Sequence, residues 1–232
     1  MTLNKYIYDI RGILRNHHII DEDLITDRQI EFWIIAQRSL WISRKDDAYI
    51  EKNHSLRQTL VDGVEILDRS FEPSLVTAGY KILRNDSDLP KPLAFKSRGG
   101  IIETGPIDMG AYRFNHVDYN EAIYSGNGRF NRDMIYSFYK DKRVYLISRS
   151  LSNHWYLIDN MAITGIFEDP RAVENFKHVS GDACWTEDDD YPLSMDLWEY
   201  MKDMIKRGNI ESIVNIPVDK GNDDTFVQAD RT

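Results

Sequence analysis

The fold is decided by residues 25–44, which read ITDRQIEFWIIAQRSLWISR. Thr26 is a good N-cap residue, and Gln29 three positions later completes the pattern of a capping box. Ile25 before the cap and Ile30 after it match the hydrophobic staple. Large side chains then recur at spacings of three and four, the period of one buried helical face. That face comprises Ile30, Trp33, Ile34, Gln37, Leu40 and Trp41. Residues 25–44 are therefore predicted to form a helix of about five turns.

The apolar surface of this helix continues around the cylinder through Phe32, Ile35 and Ile42. One neighbouring helix is too small to cover so wide a surface. We therefore expect either a helical bundle or a second subunit to pack against it.

Helices are also predicted on either side of the chain's centre. Residues 2–15 place apolar side chains on one face, and the polar connection 16–24 is short enough to fold the two N-terminal helices into a hairpin. Asp169 and Pro170 suit the start of another helix, and Ser194 suits the start of the last one. Gly208 is predicted to end that last helix.

The distribution of proline and glycine in the centre of the chain is typical of a β region. No proline occurs before Pro73, whereas prolines and glycines are frequent afterwards. Alternating aromatic and β-branched residues flank the polar turn 140–143, which predicts a hairpin. We therefore expect an α+β fold, in which a helical domain, made of the N-terminal helical hairpin and the C-terminal helices, carries a β-rich insertion. The expected divisions are 1–58 for the hairpin, 59–167 for the insertion, 168–209 for the C-terminal helices and 210–232 for an extended tail.

The composition restricts the function. The net charge of −9 disfavours a protein that binds nucleic-acid phosphates tightly. It is compatible with a channel for DNA, because a weakly repelling wall lets the DNA slide through. Cys184 is the only cysteine, so the chain cannot form an intramolecular disulfide, and a reducing compartment is expected. No stretch approaches the about 18 apolar residues of a membrane span, and no secretory leader is recognisable.

No catalytic, cofactor-binding or metal-binding residue is predicted. The Ser125–Arg129 segment lacks the Lys-Ser/Thr ending of a phosphate loop, so a plain turn is favoured. His17 and His18 are adjacent and point apart, Cys184 has no nucleophile signature, and the acidic run 187–190 lacks the glycine and distant glutamate of a calcium loop. An enzyme receives no positive support from these patterns.

Two charge clusters of opposite sign stand out. The basic cluster surrounds the predicted hairpin and is interleaved with aromatic residues. Two interpretations remain open: a solvated or nucleic-acid-binding face, or the two halves of a head-to-tail subunit contact. The acidic net charge favours the second. The residues of this predicted contact are Arg129, Arg132, Lys140, Lys142 and Arg143 on one side and Glu187, Asp188, Asp189 and Asp190 on the other.

The stretch after Asp219 has too few apolar residues to order by itself, so the C-terminal tail is expected to become ordered only against a partner. Its compact β-prone run is suited to adding a strand to the sheet edge of a partner. That run consists of Ile213, Val214, Ile216 and Val218.

Three segments resemble the neck, or ring, proteins of crAss-like and related short-tailed phages. They are the Asp27-Arg-Gln-Ile30 helix start, the segment ITGIFEDP at 163–170, and the entry DDYPLS at 189–194. The resemblance implies a non-enzymatic virion ring, usually twelvefold, between the portal protein and the other neck and tail rings. It also implies that viral double-stranded DNA passes through the lumen without sequence-specific binding, that the tail docks on the portal, and that assembly takes place in the host cytoplasm.

Two alternatives to this structural role remain. One is a phage enzyme or nucleic-acid-processing protein without a recognisable active-site motif. The other is a monomeric binding module, which requires the apolar helix to be fully covered within one chain.

Overall fold

The structure is a computed structural model that describes residues 1–16, 25–67, 81–95, 99–107, 112–122, 124–128, 130–149, 158–178 and 180–210. Its helices are α1 (Leu3–Asn16), α2 (Asp27–Ser43), α3 (Asp47–Lys52), α4 (Tyr119–Ala122) and α5 (Met195–Met204). Short 3-10 helices occupy His54–Leu56 and Pro170–Val173. The strands are β1 (Gln58–Ile66), β2 (Lys81–Asn85), β3 (Ile101–Pro106), β4 (Asn115–His116), β5 (Tyr136–Lys140), β6 (Arg143–Ser148) and β7 (Asn160–Gly165). None of the helices in these ranges is long and apolar enough to cross a membrane.

The described strands form one seven-stranded sheet in the order β3-β7-β1-β2-β6-β5-β4. All neighbouring pairs are antiparallel except β4 and β5. The two edge strands meet where the backbone N–H of Phe114 donates to the carbonyl of Thr104 at 2.8 Å. The hydroxyls of Thr104 and Ser137 add a buried hydrogen bond of 2.6 Å beside this junction. The sheet is therefore a nearly closed barrel.

Strand β1 joins the two halves of this barrel. Its first part pairs with β7 from Gln58 to Gly63, and its last part pairs with β2 from Val64 to Ile66. The buried Asn85 holds the change of partner in place, because its amide donates to Asp62 at 2.7 Å and its oxygen accepts from the Val144 N–H at 2.7 Å. Non-local pairing of residues about 100 positions apart thus forms the centre of the sheet.

The fold class expected from the sequence is wrong. The protein is mostly β, and its body is the barrel-like sheet rather than a helical domain with a β-rich insertion. Apolar residues from α1, α2 and α5 share one core with residues from β1, β3 and β7. The helices therefore cover part of the sheet and have no separate core of their own.

The predictions for individual helices are partly confirmed. The hydroxyl of Thr26 accepts the Gln29 N–H at 3.3 Å, so the predicted cap is confirmed. The last helix, α5, does not stop at Gly208 as predicted, because a π-helical turn continues from Ile205 to Ile210. The helix expected after Pro170 is only the 3-10 turn that ends at Val173.

The predicted hairpin is confirmed as β5 and β6. Its turn residues Asp141 and Lys142 both have positive φ, of 49° and 64°. Two left-handed residues match the right-handed twist of the flanking strands and make a two-residue turn between Lys140 and Arg143.

Helix α2 is fastened to the sheet through its polar residues. The fully buried Arg38 donates from Nε to the Pro192 carbonyl and from Nη1 to the Phe167 carbonyl, both at 2.8 Å. One helical position later, the Ser39 hydroxyl donates to the Glu168 carbonyl at 3.1 Å. One guanidinium therefore joins α2, the chain leaving β7 and the chain entering α5.

Replacing Arg38 by methionine is expected to lower the free energy of unfolding by about 3 kcal/mol. The change leaves two buried carbonyl oxygens without donors, at a cost of about 1–3 kcal/mol each. Denaturant unfolding measures the loss. Arg28→Met is the matched control on the exposed side of α2 and should change stability by less than about 0.5 kcal/mol. Equal losses in the two variants would contradict the role given to Arg38.

Gly100 sits where two backbone segments come together. A Cβ at this position would overlap the backbone of Leu93 and would lie 2.8 Å from the Ile166 carbonyl oxygen. Gly100→Ala should therefore destabilise the protein by about 2–3 kcal/mol in thermal or denaturant unfolding. The neighbouring Gly99→Ala is the control, since a Cβ there meets open space. A harmless Gly100→Ala would rule out the close approach.

Candidate inter-subunit surfaces

The basic cluster lies on and beside the β5–β6 hairpin, and part of its charge is used within the subunit. Arg143 donates from Nε to Asp88 at 3.0 Å and from Nη1 to Glu65 at 3.3 Å. Lys140 places its ammonium 4.5 Å from the centroid of the Tyr119 ring, within cation–π range. These two residues fasten the hairpin to its surroundings.

The rest of the basic cluster faces outward. Arg132 and Lys142 are exposed, and neither forms an ion pair with another described residue. Lys142 lines a groove of about 650 Å³ together with Leu89, Pro90 and Phe176. Arg129 lies outside the described residues. Arg132 and Lys142 are thus the described members of this cluster best placed to meet another molecule.

The acidic cluster is an exposed loop whose last two carboxylates have local roles. Asp189 accepts hydrogen bonds from the Thr186 N–H at 2.8 Å and from its hydroxyl at 2.9 Å. Asp190 binds the amino group of Met1, and this hydrogen bond lowers the pKa of the Asp190 carboxyl. Glu187 and Asp188 are exposed and form no ion pair within the described ranges.

Buried aromatic residues hold the acidic loop from both ends. Trp185 precedes it, and Tyr191 follows it. The ring of Tyr191 packs 6.1 Å from that of Tyr6 on α1, and burial raises the pKa of Tyr191 to about 12. The Tyr191 N–H also donates to the Met1 carbonyl at 2.9 Å. Glu187 and Asp188 are consequently presented on an anchored loop.

The two clusters do not neutralise one another inside the subunit. No ion pair connects them among the residues that the structure describes. Each keeps two exposed charges available for an external partner. The predicted docking run of Ile213, Val214, Ile216 and Val218 lies outside the described residues.

The reactive side chains considered from the sequence are not grouped for chemistry. The half-buried Cys184 thiol donates to the Thr59 carbonyl at 3.5 Å, and burial raises its pKa to about 11. The thiol therefore stays protonated at neutral pH and is a poor nucleophile. The described ranges contain no group of three or more His, Cys, Asp or Glu residues that could hold a metal ion. His17 and His18 lie outside them.

The structure also exposes apolar surfaces that were not predicted as sites. Phe32 and Leu40 are exposed on α2, so the prediction that Leu40 belongs to the buried face is wrong, because the buried face runs through Arg38 and Ile42 instead. Tyr124 and Phe130 are exposed in the loop that precedes β5. The spacing of Phe32, Ala36 and Leu40 at four-residue intervals was a signal for an outward apolar stripe. This stripe is hard to recognise in the sequence, because the same helix also carries a buried apolar face.

Comparison with known proteins identifies the family. The family model described as phage tail ring protein 2 matches residues 5–231, which is nearly the whole chain. No curated protein matches the chain. The resemblance to ring proteins of crAss-like phages is thereby confirmed, and with it a structural ring role in the phage tail. The chain belongs to the phage tail ring protein 2 family of crAss-like phages.

Proposed function

We propose that this protein forms a homo-oligomeric, twelvefold ring in the neck between the portal and the tail. The ring continues the DNA channel from the head and connects head to tail. The observation that carries this proposal is the family match over residues 5–231. Its partners are the portal protein and the other neck and tail rings, and it is built into the virion in the host cytoplasm. The role is structural and involves no catalysis.

The surface charge supports a channel that does not bind DNA tightly. A protein that grips DNA does so by releasing counterions from phosphates with a basic surface. A subunit with a net charge of −9 has the opposite balance. Double-stranded DNA can therefore pass through the lumen without sequence-specific binding.

The two charge clusters support a head-to-tail register between neighbouring subunits. We assign the contact to the basic residues Arg129, Arg132, Lys140, Lys142 and Arg143 and to the acidic residues Glu187, Asp188, Asp189 and Asp190. Within these sets, Arg132, Lys142, Glu187 and Asp188 supply the exposed charges that meet the partner. Exposed pairs contribute about 0.2–1 kcal/mol each and are screened by salt, so they steer assembly more than they stabilise it.

The tail supports the connection to the head. Its run of Ile213, Val214, Ile216 and Val218 is apolar and β-branched, which suits strand addition to a sheet edge of the portal protein. Backbone hydrogen bonds would supply affinity in such a contact, and alternate side chains would supply specificity.

Charge reversal tests the register. Glu187→Lys combined with Asp188→Lys should slow ring formation, because like charges then face each other. Arg132→Glu combined with Lys142→Glu in the same chain should partly restore it. Light scattering at low salt follows the rate. The four-residue variant remaining as slow as the first one would refute the pairing.

Truncation after Asn209 tests the ring and the docking together. The purified full chain should form closed rings in electron micrographs and bind portal particles in co-sedimentation. The truncated chain should form the same rings with the same melting temperature, but should no longer bind the portal. A full-length chain that stays monomeric contradicts the ring. Truncated rings that still bind the portal contradict docking by the tail.

A further inference from the structure

Several large apolar side chains of the described residues are exposed, and two groups of them are considered as contact surfaces. The first, the helix stripe, consists of Phe32, Ala36 and Leu40 on α2, with Phe32 67% exposed. The stripe occupies successive turns on one side of the helix, because its residues are four positions apart. Its neighbours Ile35 and Ser39 are uncharged, so about three turns of this side carry no charge.

The second surface is the aromatic loop between α4 and β5. It consists of Tyr124, Phe130 and Met134, with Tyr124 75% and Phe130 88% exposed. Single exposed apolar residues are ordinary, but three within eleven positions form a surface that a partner can bury.

Hydrogen bonds within the aromatic loop hold its backbone in place. The Ser125 N–H donates to the Glu121 carbonyl at 3.1 Å, and the side chain of Asn127 donates to the Tyr124 carbonyl at 3.0 Å. After Phe130, the Met134 N–H donates to the Asn131 carbonyl at 3.3 Å. A loop that is ordered before binding loses less entropy when it docks.

The helix stripe and the aromatic loop adjoin different apolar clusters of the subunit. The buried side of α2 shares a core with Leu83 and Leu146. Ala122 of α4, just before the aromatic loop, shares the second apolar cluster with Ile82 and Ile147. Ile82 and Leu83 are consecutive in β2, as Leu146 and Ile147 are in β6, and consecutive strand residues point to opposite faces. The helix stripe and the aromatic loop are therefore two distinct surfaces.

Two different surfaces are what a ring contact requires. A closed ring is built from heterologous contacts, in which one surface of a subunit meets a different surface of the next. A symmetric dimer would instead need only one self-complementary surface. Large aromatic side chains can each bury about 150–250 Å². Together the two surfaces can supply the apolar centre of a standard interface, which buries about 800 Å² on each partner.

We propose that the aromatic loop of one subunit packs on the helix stripe of the next and forms the apolar centre of the ring contact. This inference rests on the proposed ring. The occupant of each surface is a second copy of the same chain. Phe130 is the main anchor, because among the described residues it is the most exposed large apolar side chain and lies on a hydrogen-bonded loop. The charge pairs assigned above then lie around this centre and set its register.

A mixing experiment tests the pairing directly. Phe32→Glu removes the helix stripe and keeps the aromatic loop, whereas Phe130→Glu does the reverse. Each variant alone should need a roughly tenfold or higher protein concentration to assemble, because losing a central aromatic anchor commonly weakens binding by that factor or more. Mixed in equal amounts, they retain one intact contact and should form a heterodimer that cannot close into a ring. Native mass spectrometry should find it at twice the 27.2 kDa chain mass.

Controls separate this inference from the ring itself. Met195→Glu changes another exposed apolar residue, at the first position of α5, where an acidic side chain suits the helix N-terminus. It should form rings like the unaltered chain. Circular dichroism should give the same melting temperature for the three variants, since each changed side chain is exposed. An unaltered chain without rings contradicts the proposed function.

Two outcomes contradict the pairing alone. In the first, the unaltered chain and both phenylalanine variants form rings at similar concentrations. In the second, both variants are monomeric and their mixture gives no heterodimer, which would mean that the two surfaces do not meet each other.

Discussion

The fold depends on one buried guanidinium. Arg38 has no contact with water, and its two hydrogen bonds to backbone carbonyls join three parts of the chain that are far apart in sequence. Burial lowers the pKa of Arg38 by penalising its charged form, while Tyr191 and Asp169 favour that form electrostatically. Its planar fork holds the two donors at fixed angles to the two carbonyls, whereas a lysine would offer a compact charge on a flexible stem. Arg171 reinforces the same corner by binding Asp169 and reaching Glu31 on α2 at 3.0 Å.

This corner connects the helices to a barrel whose strands pair over long distances. The segments that it holds follow β7 and precede α5, so the sheet and the last helix are fixed relative to α2 by the same side chain. A subunit that holds its helices in this way presents the outer side of α2 in a fixed orientation. A fixed surface is useful in a ring, because every subunit must repeat the same contact at the same angle for the ring to close.

The surfaces of the subunit divide into two kinds. In the proposed ring contact, the exposed charges at the hairpin and the acidic loop act over several ångströms and are screened by salt, so their proposed role is to orient approaching subunits. Exposed apolar side chains on α2 and before β5 act only on contact, and their burial supplies most of the stabilisation in such interfaces. The two kinds of surface complement each other. Charges alone would orient two subunits but bind them weakly, and apolar surfaces alone would bind two subunits without fixing their orientation.

The sequence by itself determined the local features and, through the resemblance, the family. The Thr26 cap, the helical period of residues 25–44 and the turn of the β5–β6 hairpin depend on residues within a few positions of each other, and all three are confirmed. The tertiary structure decided that the sheet is the body of the protein, because β1 pairs with a strand about 100 residues later and short strands carry little periodic signal of their own. It also decided that Arg38 is buried, that Arg143 and Asp190 are engaged within the subunit, and that Phe32 and Phe130 face outward. Whether a side chain is covered depends on what packs beside it, and the pattern of a single helix or loop does not contain that information.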